Sequence, residues 1–175
     1  MQQIEQQLKN WRESRNITTF PLTIKDDLLD ELREVREAQQ KLDWNNYVEE
    51  LADVAIFAFN GLGLLNTRYK PTRMSIVPTL NNLESYINNI RLEMPVQTVN
   101  ILNIIITMCD ELVTAKRYDF EKVVSEKILV LQSRRQCPIQ KEHWKLHGAS
   151  GKWEKSKRAE DKNLVYVANF GKCKF

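Results

Sequence analysis

The chain has 175 residues, 42% hydrophobic and 28% charged, enough to bury the core of one domain or of a domain with an appendage. Five Gly and five Pro are few for a loop-rich β-sandwich and suit long helices. With no charged-then-apolar leader and no run of eighteen apolar residues, the sequence predicts neither a secretion signal nor a membrane span. Cys109, Cys137 and Cys173 are odd in number and scattered, which argues against a disulfide framework and predicts a reducing, cytoplasmic setting. The net charge of +3 is unevenly spread: residues 134–175 hold 11 Lys/Arg against 4 Asp/Glu, a net of +7, leaving −4 for residues 1–133. An acidic body with a basic tail suits a bound cation in one part and phosphate contact in the other; a plain solvated tail fits equally well.

In chain order, residues 2–15 read as a polar helix with Ile4, Leu8 and Trp11 on one stripe. "RNITTFPLT" breaks the pattern, and Thr23 is placed to cap the next helix. That helix, 24–41, carries Ile24, Leu28, Leu29, Leu32, Val35 and Ala38 on its apolar face. "LDWNN" is turn-like, with Asp43, Asn45 or Asn46 as a cap. A helix at 46–65 follows, apolar nearly all round in "VAIFAFNGLGLL", the pattern of a central helix; Gly61 and Gly63 suit close packing or a fraying end. "NTRYKPTRMSIVP" reads as a basic loop, and further helices are predicted at 79–93, 96–116 and 119–135. The β-branched run Ile104 to Ile106 is assigned to helix because its flanks keep helical period. Beyond Cys137 periodicity fades, and "LVYVANF" is left as a short strand or an extended arm. The expected architecture is an all-α bundle of five to six helices over residues 1–135, with a basic C-terminal extension at 136–175. A faint repeat lays 28–57 over 107–131 with a gap: Asp30-Glu31-Leu32 meets Asp110-Glu111-Leu112, and Asp53 meets Leu129.

Carboxylates carry the chemistry. Glu31 and Glu34 project to one side of their helix, as do Glu50 and Asp53 on the next, and an antiparallel hairpin brings the two pairs face to face. Four such acids with little nearby to neutralise them repel one another, which raises their pKa values unless a hard divalent cation intervenes. All-oxygen sites of this kind suit Mg²⁺ or Mn²⁺. The plain alternative is a solvated acidic face with Arg33 and Arg36 as partners. Asp53 weighs against it, because it sits among Leu51, Ala52, Val54, Ala55 and Ile56, where an unpaired carboxylate is costly.

Glu31-x-x-Glu34, a spacer of fifteen residues and Glu50-x-x-Asp53 together resemble the all-α nucleoside triphosphate pyrophosphohydrolases, the superfamily of MazG, the dimeric dUTPases and the dCTP pyrophosphatases. Asp30 stands where that family's first motif opens with Glu, and "EELADV" is similar to its second half. "RNITTF", from Arg15, resembles the segment before the first metal helix of the dCTP-pyrophosphatase branch, with Ile17 in place of an aromatic. The resemblance covers residues 8–65. It implies that Glu31, Glu34, Glu50 and Asp53 bind Mg²⁺ (or Mn²⁺) and through it the phosphates of a nucleoside triphosphate. Glu34 or Glu37 would accept the proton of the attacking water, yielding a nucleoside monophosphate and pyrophosphate. It further implies Arg15 near the substrate and a homodimer or higher homo-oligomer. The apolar stretches 51–65 and 99–108 also seek more cover than one small chain offers. A non-catalytic nucleotide- or protein-binding relative of the same fold is the alternative.

Other residues have two readings each. Asn60, two turns beyond Asp53, would bind sugar or base, or cap backbone; Trp44 would stack on a base or pack on Tyr47. Arg68, Lys70 and Arg73 would hold the outgoing pyrophosphate or form a solvated loop, and "GASGKWEKSKR" would reach phosphates or remain a tail. Cys137, His143 and His147 lack a fourth zinc ligand unless Cys173 folds back. No helix-turn-helix wording or aromatic-basic interleaving supports a nucleic-acid partner.

Overall fold

The computed structural model describes residues 1–14, 17–18, 20–134 and 167–175. Six helices occur there: α1 (Gln2–Glu13), α2 (Ile24–Gln40), α3 (Trp44–Leu64), α4 (Leu80–Asn88), α5 (Pro95–Ala115) and α6 (Phe120–Arg134). A short 3-10 turn, Phe170–Cys173, ends the chain, and no strand lies among the described residues apart from a lone bridge between Tyr118 and Lys174. The all-α expectation therefore holds. Of "LVYVANF", the described part continues into the 3-10 turn and is not a strand.

α3 is the axis of the bundle and packs against α1, α2, α5 and α6. Its apolar girdle dictates this: Val48, Leu51, Ala52, Val54, Ala55, Ala58, Phe59 and Leu62 are all buried, and a helix apolar all round has nowhere else to go. α5 is its antiparallel neighbour. It is the one helix among the described residues long and apolar enough to cross a bilayer, yet 56% of its apolar window is already buried inside the bundle. Within the bundle most of 51–65 and 99–108 is buried, including Leu51, Val54, Ala55, Phe59, Leu102, Ile105 and Ile106. Ile104 to Ile106 are helical, with Ile105 and Ile106 in the core.

At Gly61 α3 meets α2 and α5 closely: a Cβ there would lie 2.8 Å from Ile24 Cδ1 and 2.9 Å from Leu102 Cδ1. A Cβ on Gly63 would collide with the Arg12 guanidinium. Both glycines serve close packing rather than fraying. α4 is shorter than expected because two tight turns follow it. Ile90 N donates to Ile87 O and Met94 N to Arg91 O, and Pro95 then opens α5 at a position where no N–H is needed. Thr23 occupies the N-cap of α2, but its hydroxyl donates to Asp27 (2.8 Å) instead of accepting a backbone N–H. Asp43 does cap α3, accepting from Asn46 N at 3.1 Å.

The turn joining α2 to α3 sets the register of the whole acidic hairpin. Asp43 N donates to Ala38 O (3.0 Å) and Leu42 N to Gln39 O (3.1 Å), the paired bonds of a Schellman closure, with Leu42 at φ 55°. α3 and α5 close in the same way at Asn66 (φ 54°) and Arg117 (φ 64°). Leucine is a poor residue for a left-handed position, which costs about 1–2 kcal/mol, and this one is 69% exposed. Leu42→Gly should therefore raise stability by about 1 kcal/mol in urea unfolding, with no change in helicity.

Candidate metal centre

The closure at Leu42 runs α2 back along α3, so that residues equally far from the turn oppose each other. Glu31 then faces Glu50 and Asp53. One oxygen from each of these three lies within 4.8 Å of the other two. Leu28, Leu32 and Val35 from α2 and Leu51, Val54 and Ala55 from α3 close the seam beneath them. Glu50 is only 4% exposed. It makes no hydrogen bond or ion pair with any described residue. A largely buried residue that brings its carboxylate to within 4.8 Å of two other acids fits the donor set of a hard cation.

Glu34 lies outside the group of three oxygens that converge within 4.8 Å. Three residues advance a helix by about 300°, so Glu34 is turned about 60° farther from the buried stripe of α2 than Glu31. Glu37 is turned as far again. Both are exposed, and Glu37 pairs with Lys41 at 3.9 Å. Glu34 nonetheless adds its charge to the field on Glu31 and Glu50.

Counter-charge lies closer to the acids than expected from the sequence. Lys127 enters from α6, 1% exposed, with its Nζ 2.8 Å from Glu49 Oε1 and 2.5 Å from Asp53 Oδ2. The expectation of little compensating charge overlooked it. The signal was available: Lys127 interrupts a run of buried apolar positions (Val123, Val124, Ile128), the same anomaly that marks Asp53. Burial opposes the lysine's charge, but Asp53 and Glu49 outweigh it and hold its pKa above the ordinary lysine value. Next to it, Glu126 is fixed by Lys172 (2.7 Å) and by Asn169 N (3.1 Å), so the chain's last residues clasp α6 beside the acids.

Lys127 does not quench the triad. Burial first, then the charges of Asp53, Glu34 and Glu50, pushes Glu31 up to about 8. Burial and Asp53 push Glu50 up to about 7. The folded, metal-free chain therefore retains protons that the unfolded chain, near 4.5 for these groups, gives up. In this window the native state binds more protons, so its stability declines as pH rises from about 4.5 to about 8. Thermal unfolding in a chelator should show the midpoint falling between about pH 5 and about pH 9. Mg²⁺ at about a hundred times its Kd should restore about 2.7 kcal/mol at the alkaline end.

The remaining expected site residues stand elsewhere. Asn60 Oδ1 accepts from the largely buried Arg12 Nη1 at 2.8 Å. Trp44 packs edge-on against Tyr47, with centroids 5.7 Å apart, and Lys116 Nζ lies 3.5 Å over its ring. Arg68, Lys70 and Arg73 are exposed on a loop tied to α1 and α5: Tyr69 N donates to Glu5, Lys70 N to Asn103 and Thr72 N to Thr107. Arg15, Cys137, His143, His147 and "GASGKWEKSKR" lie outside the described residues.

No family model matches the chain, and no curated protein or solved structure is significantly similar to it.

Proposed function

We propose that the protein is a Mg²⁺-dependent nucleoside triphosphate pyrophosphohydrolase, releasing pyrophosphate and a nucleoside monophosphate. The observation that supports this most is the convergence of Glu31, Glu50 and Asp53, one oxygen of each within 4.8 Å of the other two. A divalent cation held there supplies charge neutralisation for phosphate oxygens and a water of lowered pKa. The chain's own part is to present three oxygens from two rigid helices and to hold Asp53 with Lys127. Exposed Glu34 stands at the rim as the proton acceptor, ahead of Glu37, which is turned farther away and paired with Lys41. The buried, unbridged Cys109 and Cys173 accord with a cytoplasmic setting. A homodimer or higher homo-oligomer belongs to the same reading.

One observation favours a second reading. Lys127 already satisfies Asp53 and Glu49, as it would in a non-catalytic binding relative of the same fold. A screen of ribo- and deoxyribonucleoside triphosphates for pyrophosphate release with Mg²⁺ or Mn²⁺ separates the two. Turnover that disappears in Asp53→Ala, with helicity retained, supports the hydrolase; silence across all substrates supports the binder.

A further inference from the structure

Lys127 is an unusual neighbour for a metal-binding triad. It comes from a third helix, is almost fully buried, and its Nζ lies in the notch between Asp53 Oδ2 and Glu49 Oε1. That notch is the natural place for a second divalent cation. Two carboxylates completed by waters are a sufficient Mg²⁺ or Mn²⁺ site, and Asp53, having two oxygens, is the residue that would bridge a metal pair. An ammonium 2.5 and 2.8 Å from the two oxygens takes up the space that a cation at about 2.1 Å would need. Lys127 has little room to leave, because α6 is packed on α3 and its neighbour Glu126 is gripped by Lys172 and Asn169.

We infer that Lys127 stands permanently in place of a second metal, so that the protein takes one divalent cation per chain, at Glu31, Glu50 and Asp53. Charge agrees with this. Glu31, Glu49, Glu50 and Asp53 bring four negative charges when ionised. Lys127 and one divalent cation bring three positive charges, whereas a further divalent cation would raise them to five. A lysine here is a cation that cannot be diluted away, which holds Asp53 in position before any metal arrives. The inference rests on the metal centre proposed above and goes beyond it in fixing stoichiometry and in giving Lys127 a positioning role.

The test is a count. Metal-free full-length protein is titrated with Mn²⁺ alone, and free ion is followed by electron paramagnetic resonance. One Mn²⁺ per chain is expected in the wild type and in Lys127→Arg, with no spin-coupled Mn–Mn signal. Two per chain, with that coupled signal, are expected in Lys127→Met, where the Asp53–Glu49 notch is vacated. Two ions in the wild type would overturn the inference, and that measurement needs no variant to fold. A single ion in folded Lys127→Met would overturn it as well. No Mn²⁺ bound by the wild type would instead remove the metal centre itself, and the inference with it.

Discussion

Glu50→Gln should lose pyrophosphate release and gain stability together. Gln keeps the volume and removes the negative charge, so the core beneath is undisturbed. Activity should fall by more than about 100-fold, the upper end for residues that merely support a metal ligand, because here a ligand itself is replaced. The stability arm follows from Glu50's place. Its burial and the nearby Asp53 lift its pKa to about 7, so above that pH the wild type carries an ionised carboxylate largely out of water and beside other acids. In a chelator at about pH 8.5 the variant should be more stable by about 1–3 kcal/mol. Near pH 5, where Glu50 is already protonated, the difference should shrink towards zero. Urea unfolding at the two pH values decides it. A variant destabilised equally at both would mean that Glu50 is a packing residue whose charge is already compensated.

Lys127→Met should be among the most destabilising single changes available in the chain. Methionine fits the space of the lysine stem, so the effect isolates the ammonium. Removing one partner of a buried pair costs about 3–5 kcal/mol, because it strands the other charge. Here two acids, Asp53 and Glu49, are stranded at once, beside Glu31 and Glu50. Divalent cation should rescue the variant more strongly than it stabilises the wild type, and acid pH should also rescue it by protonating the cluster. Thermal midpoints with and without Mg²⁺, at acid and alkaline pH, give four numbers that must move in this order. A loss that neither Mg²⁺ nor acid relieves would mark a packing defect.

The two helical hairpins close alike, which bears on how such a site arises. Asp43 caps α3 and Asp119 caps α6, each through a side-chain oxygen 3.1 Å from the N–H three residues on. Schellman closures at Leu42 and Arg117 precede them. In the repeat alignment Glu31 meets another acid, Glu111, but Asp53 meets Leu129. In the folded chain it supplies their lysine instead.

Much of this was legible in the order of residues. Helical period placed all six helices, since an amphipathic stripe or an apolar girdle leaves a chain no other way to satisfy both backbone and solvent. The pairs Glu31/Glu34 and Glu50/Asp53 announced a carboxylate site, and Asp53's apolar neighbours said it was not mere surface. Which acids converge was not legible, because it turns on rotation about the axis of α2. About 60° separates Glu31 in the seam from Glu34 at the rim. Nor could the counter-charge be found by local reading. Lys127 lies 74 residues beyond Asp53, and only the packing of α6 on α3 brings an ammonium within 2.5 Å of that carboxylate. Spacing along a helix is fixed by the peptide bond, whereas electrostatic balance is a property of whatever other helix happens to lie alongside.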